Sequence, residues 1–267
     1  MIDLTTVHTL SSGSSGNALV LSTENTHILL DAGISCRRIE QGLRQLGLEL
    51  RDLSALLISH THSDHISGLG TLVKRCRAPI YSSIETARGL QYRIAGVEDL
   101  LCPFSQGVPF HVGECRVTPF STCHDAPGST AYRIDTEEGG FGFLTDSGCI
   151  PDGAREVLPG VELLLLEANH DVDTLRSGSY PYYLKRRILG DEGHLSNEAA
   201  ASFAAEAAGW GASEIVLAHL SEENNTPAMA RSAVERSLAA AGFSPRLTVA
   251  PRSALSECHV VGAGCRR

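Results

Sequence analysis

The run His60-Thr61-His62-Ser63-Asp64-His65 constrains this chain most, because the apolar stretch Ala55-Leu56-Leu57-Ile58-Ser59 leads straight into it. The apolar stretch reads as a buried β-strand, so the imidazoles and the carboxylate fall on the loop where that strand ends. In an extended or turning loop His60 and His62 share one side and can close on one cation. Asp64 and His65 come after the turn and can close on a second. Imidazole together with carboxylate suits zinc and other borderline divalent ions. Two such sites side by side, with hydroxide between the ions, make hydrolysis the first expectation.

Elements of both types alternate along the rest of the chain. Residues 17–22 and 27–31 read as strands joined by a polar turn, followed by a helix with Ile39, Leu43 and Leu46 on one face. One helix carrying Ile66, Leu69, Leu72 and Val73 is expected after the His-rich loop, then a short strand at 79–81 and a helix over 83–95. Short β-rich runs follow at 108–112, 115–121, 130–135 and 141–145. The run Glu162-Leu163-Leu164-Leu165-Leu166-Glu167 has the continuous apolar character of a central strand covered on both faces. An Ala-rich helix spans 196–208, a strand 214–218 leads to His219, and a last helix opens at Thr226-Pro227 and stops at Gly242. No Pro/Gly linker divides the chain. The expected fold class is α/β, a four-layer αββα sandwich of two mixed sheets with helices outside, forming a single domain over 1–267. The basic tail ending Arg266-Arg267 is expected to fray.

Composition excludes some functions. No stretch approaches the roughly 20 apolar residues of a membrane span. The opening Met1-Ile2-Asp3-Leu4 has neither a basic nor an apolar leader region, so a cytoplasmic location is expected rather than secretion. The eight cysteines form no CxxC pair and read as reduced thiols, mostly core fillers, with Cys123 and Cys149 close to candidate site residues. A net charge of −9 argues against wholesale coating of nucleic acid, although a local patch can still meet phosphate. The dense basic cluster Lys185-Arg186-Arg187 reads equally well as such a patch and as a solvated helix face.

Asp31, His60, Asp146, Glu167 and His219 all fall at the exits of expected strands, which suggests a shared rim. HTHSDH, the isolated His124-Asp125, Thr145-Asp146-Ser147-Gly148 and Ala218-His219-Leu220-Ser221 together resemble the ordered motifs of the metallo-β-lactamase fold over nearly the whole chain. Ser12-Gly13-Ser14-Ser15-Gly16-Asn17, Leu30-Asp31-Ala32-Gly33, Glu167 to Asp171, Gly193 to Asn197 and Leu220 to Asn225 resemble its YycJ/WalJ branch, regarded as DNA exonucleases. The later motifs are also similar to those of tRNase Z and the phosphonate-pathway phosphodiesterases.

The resemblance implies a role for each position. One metal takes His60, His62 and His124; the other takes Asp64, His65 and His219; Asp146 bridges them. The metals are two zinc or manganese ions, with iron also compatible, and Asp64 belongs to the catalytic group as well. His194 gives a proton to the leaving oxygen or binds phosphate, and Glu167 accepts from its other ring nitrogen. Asp31 orients a ligand loop from behind. Ser14, Ser15 and Asn17 sit in a turn suited to phosphate or substrate. His170 and Asp171 stabilise their loop.

The implied activity is DNA hydrolysis from 5′ ends. An RNA-processing nuclease is a close alternative, but few residues separate Asp146 from His194, too few for the insert such enzymes carry. A small-molecule phosphodiesterase also suits the acidity. A lactamase or thioesterase would not need His194, and a metal-stabilised binding scaffold would tolerate missing ligands.

Overall fold

The computed structural model describes residues 4–262; the opening Met1–Asp3 and the basic tail lie outside them. The first strands in chain order are β1 (Thr6–Ser11), β2 (Ala18–Ser22), β3 (His27–Leu30), β4 (Ala55–Leu57), β5 (Ile80–Ser83) and β6 (Leu101–Phe104). Next come β7 (Phe110–Val112), β8 (Cys115–Ser121), β9 (Thr130–Asp135) and β10 (Gly140–Leu144). The last are β11 (Leu163–Glu167), β12 (Glu214–Ala218), β13 (Arg246–Val249) and β14 (His259–Val260). One sheet runs β14-β1-β2-β3-β4-β5-β6 and the other β13-β12-β11-β10-β9-β8-β7. Each sheet is mixed. β3 to β6 are parallel in the first, and β10 to β13 are parallel in the second.

Side-chain alternation along single strands separates the layers. Leu163 and Leu165 of β11 join Leu19, Leu21, Ile28, Leu30, Tyr132 and Phe141 in the core between the sheets. Leu164 and Leu166, one residue out of step, face outward into a second core. There they meet Phe203 and Ala204 of the Ala-rich helix α8 (Asn197–Gly209) and Val234 and Leu238 of α9 (Pro227–Ala241); the short helix α5 (Asp152–Val157) adds Ala154. A third core lies outside the first sheet. In it Leu29 and Leu56 pack on Ile39 and Leu43 of α1 (Cys36–Gln45) and Leu90 of α4 (Ile84–Arg93). Three cores between four layers give the expected αββα sandwich.

Local chemistry sets the helix ends. The Ser196 hydroxyl caps α8 by accepting from the Ala199 amide, and the Thr226 hydroxyl caps α9 ahead of Pro227. Gly242 stops α9 in the left-handed conformation.

One expected helix divides into α2 (Ser63–Ile66) and α3 (Leu69–Leu72). The break is at Gly68, whose amide bonds the Ala32 carbonyl at 2.8 Å and where a Cβ would run into the Ile34 carbonyl. The helical hydrogen-bond ladder is therefore interrupted where Gly68 docks against the loop after β3, although Ser67 and Gly68 keep right-handed helical dihedrals. Strands β1, β6, β13 and β14 are not marked in the sequence: β6 and β14 lack clear apolar alternation, and in β1 and β13 the apolar residues are too few to stand out. Among the described residues no helix is long and apolar enough to cross a membrane.

Because Leu165 is buried where β11 supports the inter-sheet core, Leu165→Ala should cost ~2–5 kcal/mol in urea unfolding of the whole chain. A loss below ~1 kcal/mol would mean that this core is not what holds the sheets together.

Candidate metal centre

Three strand exits share an uncommon backbone conformation. Asp31, Asp146 and His219 are the three non-glycine residues with positive φ among the described residues, at 59°, 58° and 57°. They follow β3, β10 and β12 within two residues. Holding a side chain in that region costs on the order of 1–3 kcal/mol, and residues kept there concentrate at functional sites. Here each one turns its side chain off the end of a rigid strand into one shared rim.

The rim gathers all seven expected ligands. His60, His62 and His124 form one group whose donor atoms lie within 4.8 Å of one another, and Asp64, His65 and His219 form another. The Asp64 Oδ2 is 3.4 Å from Nε2 of both His65 and His219. Asp146 lies between the groups: its Oδ2 is 3.3 Å from His65 Nε2, and its Oδ1 is 3.5 Å from His219 Nε2 and 3.9 Å from His124 Nε2. His60 Nε2 and Asp146 Oδ2 are buried and have no hydrogen-bond partner. Native proteins rarely leave such atoms unpaired. Lone pairs aimed into a nest of imidazoles and carboxylates fit divalent metal ions well.

Residues behind the donors fix their orientation. Asp31 accepts from His65 Nδ1 at 2.7 Å and from the Ser59 amide at 2.8 Å, so His65 Nε2 is left facing the rim. Asn17 holds the Asp64 strand of the loop: its amide donates to the Asp64 carbonyl at 2.8 Å, and its Nδ2 lies 3.2 Å from His65 Nε2. Gly33 permits this approach, since a Cβ there would collide with the Asp64 carbonyl. Ser14 and Ser15 are exposed, and no hydrogen bond ties either hydroxyl to the cluster. In that turn the Ser12 hydroxyl makes the link instead, accepting from the His219 amide at 2.9 Å.

Glu167 is fully buried and makes four hydrogen bonds. Its Oε1 accepts from Nδ1 of both His194 and His219 at 2.8 Å, and its Oε2 accepts from the Ser147 and Leu195 amides at 3.1 Å. Burial would raise its pKa, but the two histidines and their hydrogen bonds outweigh this and bring it down to about 2. Only the partnership with His194 is anticipated from sequence. Ser12, Ser59 and Asn169 are not, although the Asn169 Nδ2 donates to the His219 carbonyl at 2.9 Å. Asp171 caps α6 (Val172–Ser177), in keeping with a loop-stabilising role. His170 stabilises its loop only through its backbone, because neither ring nitrogen has a partner.

The cysteine reading needs correction at one pair. Cys123 and Cys149 form a disulfide with Cα atoms 5.9 Å apart. The sequence separation of 26 conceals that their loops converge: the Cys123 amide donates to the Ser147 hydroxyl, and the Gly148 amide donates to the Cys123 carbonyl. Cys36, Cys76 and Cys115 are buried thiols, as expected.

This fold and rim define a metal-dependent hydrolase scaffold, and the chain belongs to the beta-lactamase superfamily, whose Beta-lactamase superfamily domain matches residues 26–220. It is 37% identical over 235 residues to Exodeoxyribonuclease YycJ of Bacillus anthracis, a match covering 88% of this chain and 89% of that one. Among solved structures it is similar to the metallo-beta-lactamase fold protein YhfI from Bacillus subtilis, with a TM-score of 0.73 and 20% identity over 95% of this chain and 99% of that one. A diphosphatase from the PhnP family gives a TM-score of 0.64 at 18% identity, over 96% and 98% of the two chains.

The two donor groups differ in how they hold protons. Burial, aided by the neighbouring imidazoles, keeps His60 and His62 below the usual histidine pKa, so both are neutral and ready to bind. Burial also disfavours charge on His65 and His219, but Asp146 and the flanking carboxylates prevail, lifting His65 well above its usual value and His219 to about 10. A raised pKa means that a proton must leave before a metal can bind. Metal uptake should therefore release about two protons near neutral pH, and affinity should climb as pH rises toward about 10. Titration calorimetry in buffers of different ionisation enthalpy reads this directly; uptake without proton release would contradict it. Asp31→Asn, which removes the anchor of His65, should weaken metal binding by about 10–100-fold in competition with a chelator.

Proposed function

We propose that the chain is a dinuclear-metal phosphodiesterase that degrades DNA, as an exonuclease acting from 5′ ends. The observation that carries this reading is the Glu167 Oε1, which holds His194 and His219 by the same atom, each at 2.8 Å. A residue suited to handling a proton is thereby fixed beside the metal-binding rim. The 37% identity to an exodeoxyribonuclease over most of both chains supports DNA as the substrate.

His60, His62 and His124 would hold one divalent ion and Asp64, His65 and His219 the other, with Asp146 between them. Bound there, the ions would polarise the phosphate and make water acidic enough to attack phosphorus near neutral pH. The chain's own residues account for the remainder. Glu167 engages His194 Nδ1, so the ring is fixed in rotation and its Nε2 faces outward with partial exposure. From there a proton on Nε2 can pass to the departing sugar oxygen, while the Glu167 carboxylate holds Nδ1 and keeps the ring in position. Asp64 and Asn17 keep the second group of donors aligned during turnover. Ser14 and Ser15 lie on the exposed side of the turn next to His219, where their hydroxyls suit contact with the substrate strand.

Supplied with zinc or manganese, the purified protein should cleave 5′-labelled DNA, with slower cleavage of RNA and of a chromogenic diester. Failure to cleave any of these would remove the enzyme reading, and a preference for RNA would move it to RNA processing. Asp146→Ala should abolish turnover and lower metal content. His194→Ala should keep its metal by atomic absorption yet lose about 10²–10⁴-fold in kcat; full activity would remove the proton-transfer role.

A further inference from the structure

The helix α7 (Tyr182–Ile188) carries a feature that hydrolytic chemistry does not require. Tyr182 and Tyr183 are adjacent and stand 75% and 74% exposed, in a protein that buries most of its large apolar side chains. Three cations follow them on the same helix, Lys185, Arg186 and Arg187, in a chain of net charge −9. Residues four apart share a helix face, so Tyr182 lies with Arg186 and Tyr183 with Arg187, each pair about 6 Å apart along the axis.

The helix is tied to the metal-binding rim through its C-terminal end. The Ile188 carbonyl accepts from the His194 amide at 3.1 Å, and in the turn that follows Glu192 accepts from the Asp125 amide at 3.1 Å. The Gly193 carbonyl lies 3.1 Å from His124 Nδ1. Arg187 grips Asp125 with both guanidinium branches, one at 2.9 Å, and that carboxylate lies 3.8 Å from His62 Nε2 and 3.7 Å from His124 Nε2. Lys185 is engaged elsewhere, donating to the Arg176 and Gly178 carbonyls at 2.8 and 2.6 Å, and so locks the helix in place. A rigid helix, held beside the rim by its C-terminal end, thus carries two exposed aromatic rings and the exposed Arg186 guanidinium, while Arg187 is committed to Asp125.

We propose that α7 is the binding platform for an unpaired DNA strand, with Tyr182 and Tyr183 stacking on its bases and Arg186 meeting its phosphates, while Arg187 pins the helix to Asp125. The inference rests on the phosphodiesterase reading above and specifies the form of its substrate. Base faces inside a duplex are covered by their neighbours, so exposed tyrosines can stack only on unpaired or frayed ends. The Arg186 cation one turn away matches the negative backbone, giving this acidic protein a local surface for nucleic acid.

The test uses the full chain loaded with metal and a fluorescent phosphorothioate oligonucleotide that resists cleavage. Anisotropy should show tighter binding to a single strand or a 5′ overhang than to a blunt duplex. Tyr182→Ala with Tyr183→Ala should weaken single-strand binding by about tenfold or more, while the double Phe variant should bind like the parent, since stacking needs the ring and not the hydroxyl. Photocrosslinking from 4-thiothymidine should map to Tyr182 or Tyr183. Parental binding by the double Ala variant, equal weakening in the Phe variant, crosslinks confined to other elements, or tighter binding of the matching RNA strand would each overturn the proposal. If the parent protein cleaves labelled DNA while these results fail, only the platform is lost; if it cleaves no DNA, the functional reading falls first.

Discussion

The metal-binding rim is organised around the buried Glu167 carboxylate. Its four hydrogen bonds reach His194, His219, the Ser147 amide beside Asp146 and the Leu195 amide ahead of α8. Leaving an ionised carboxylate buried is costly unless every lone pair finds a donor, and here each oxygen has two. The charge in turn sets the character of its neighbours, because it helps lift His219 to about 10 and holds the outward ring of His194 in one orientation. One group therefore connects three separate loops, and none of the three could shift without costing that buried charge at least one of its donors.

The sheets make this convergence possible. Parallel strands β10, β11 and β12 run side by side and end at the same level, so Asp146, Glu167 and His219 come off one edge. Parallel β3 and β4 bring Asp31 and His60 to the matching edge of the other sheet. The core between the sheets sets how far apart these edges lie, and the left-handed turns at Asp31, Asp146 and His219 direct the side chains across the gap. Backbone strain at three positions is tolerated because hydrogen bonds on both sides fix each turn.

Much of this was legible in the sequence because strand ends and ligand types coincide. The apolar runs 55–59 and 162–167 marked two of the parallel strands, and His60 after the first and Glu167 closing the second marked the rim. The missing parts share a physical cause. Ser12, Ser59 and Asn169 act through short contacts that exist only after distant loops meet, so although Ser12 and Asn169 fall in motif segments, the contact each makes is not written in its local sequence. Cys123 and Cys149 belong to the same class, since their pairing depends on two site loops lying against each other. In the turn that carries Ser14 and Ser15, the hydroxyl bonded to the His219 amide is that of Ser12. The split between α2 and α3 was hidden because the apolar spacing runs through Gly68 undisturbed, and only the docking of the neighbouring loop breaks the helix.

The decisive question is whether Glu167 stands behind the ligands or among them, since Asp146, Glu167, His194 and His219 also bring donor atoms within 4.8 Å of one another. Anomalous diffraction from crystals grown with zinc or manganese answers it directly. Two peaks are expected, one among His60, His62 and His124 and one among Asp64, His65 and His219, with Asp146 between them and Glu167 still bonded to both histidines. A peak coordinated by Glu167 and His194 would contradict the assignment of that pair to proton transfer.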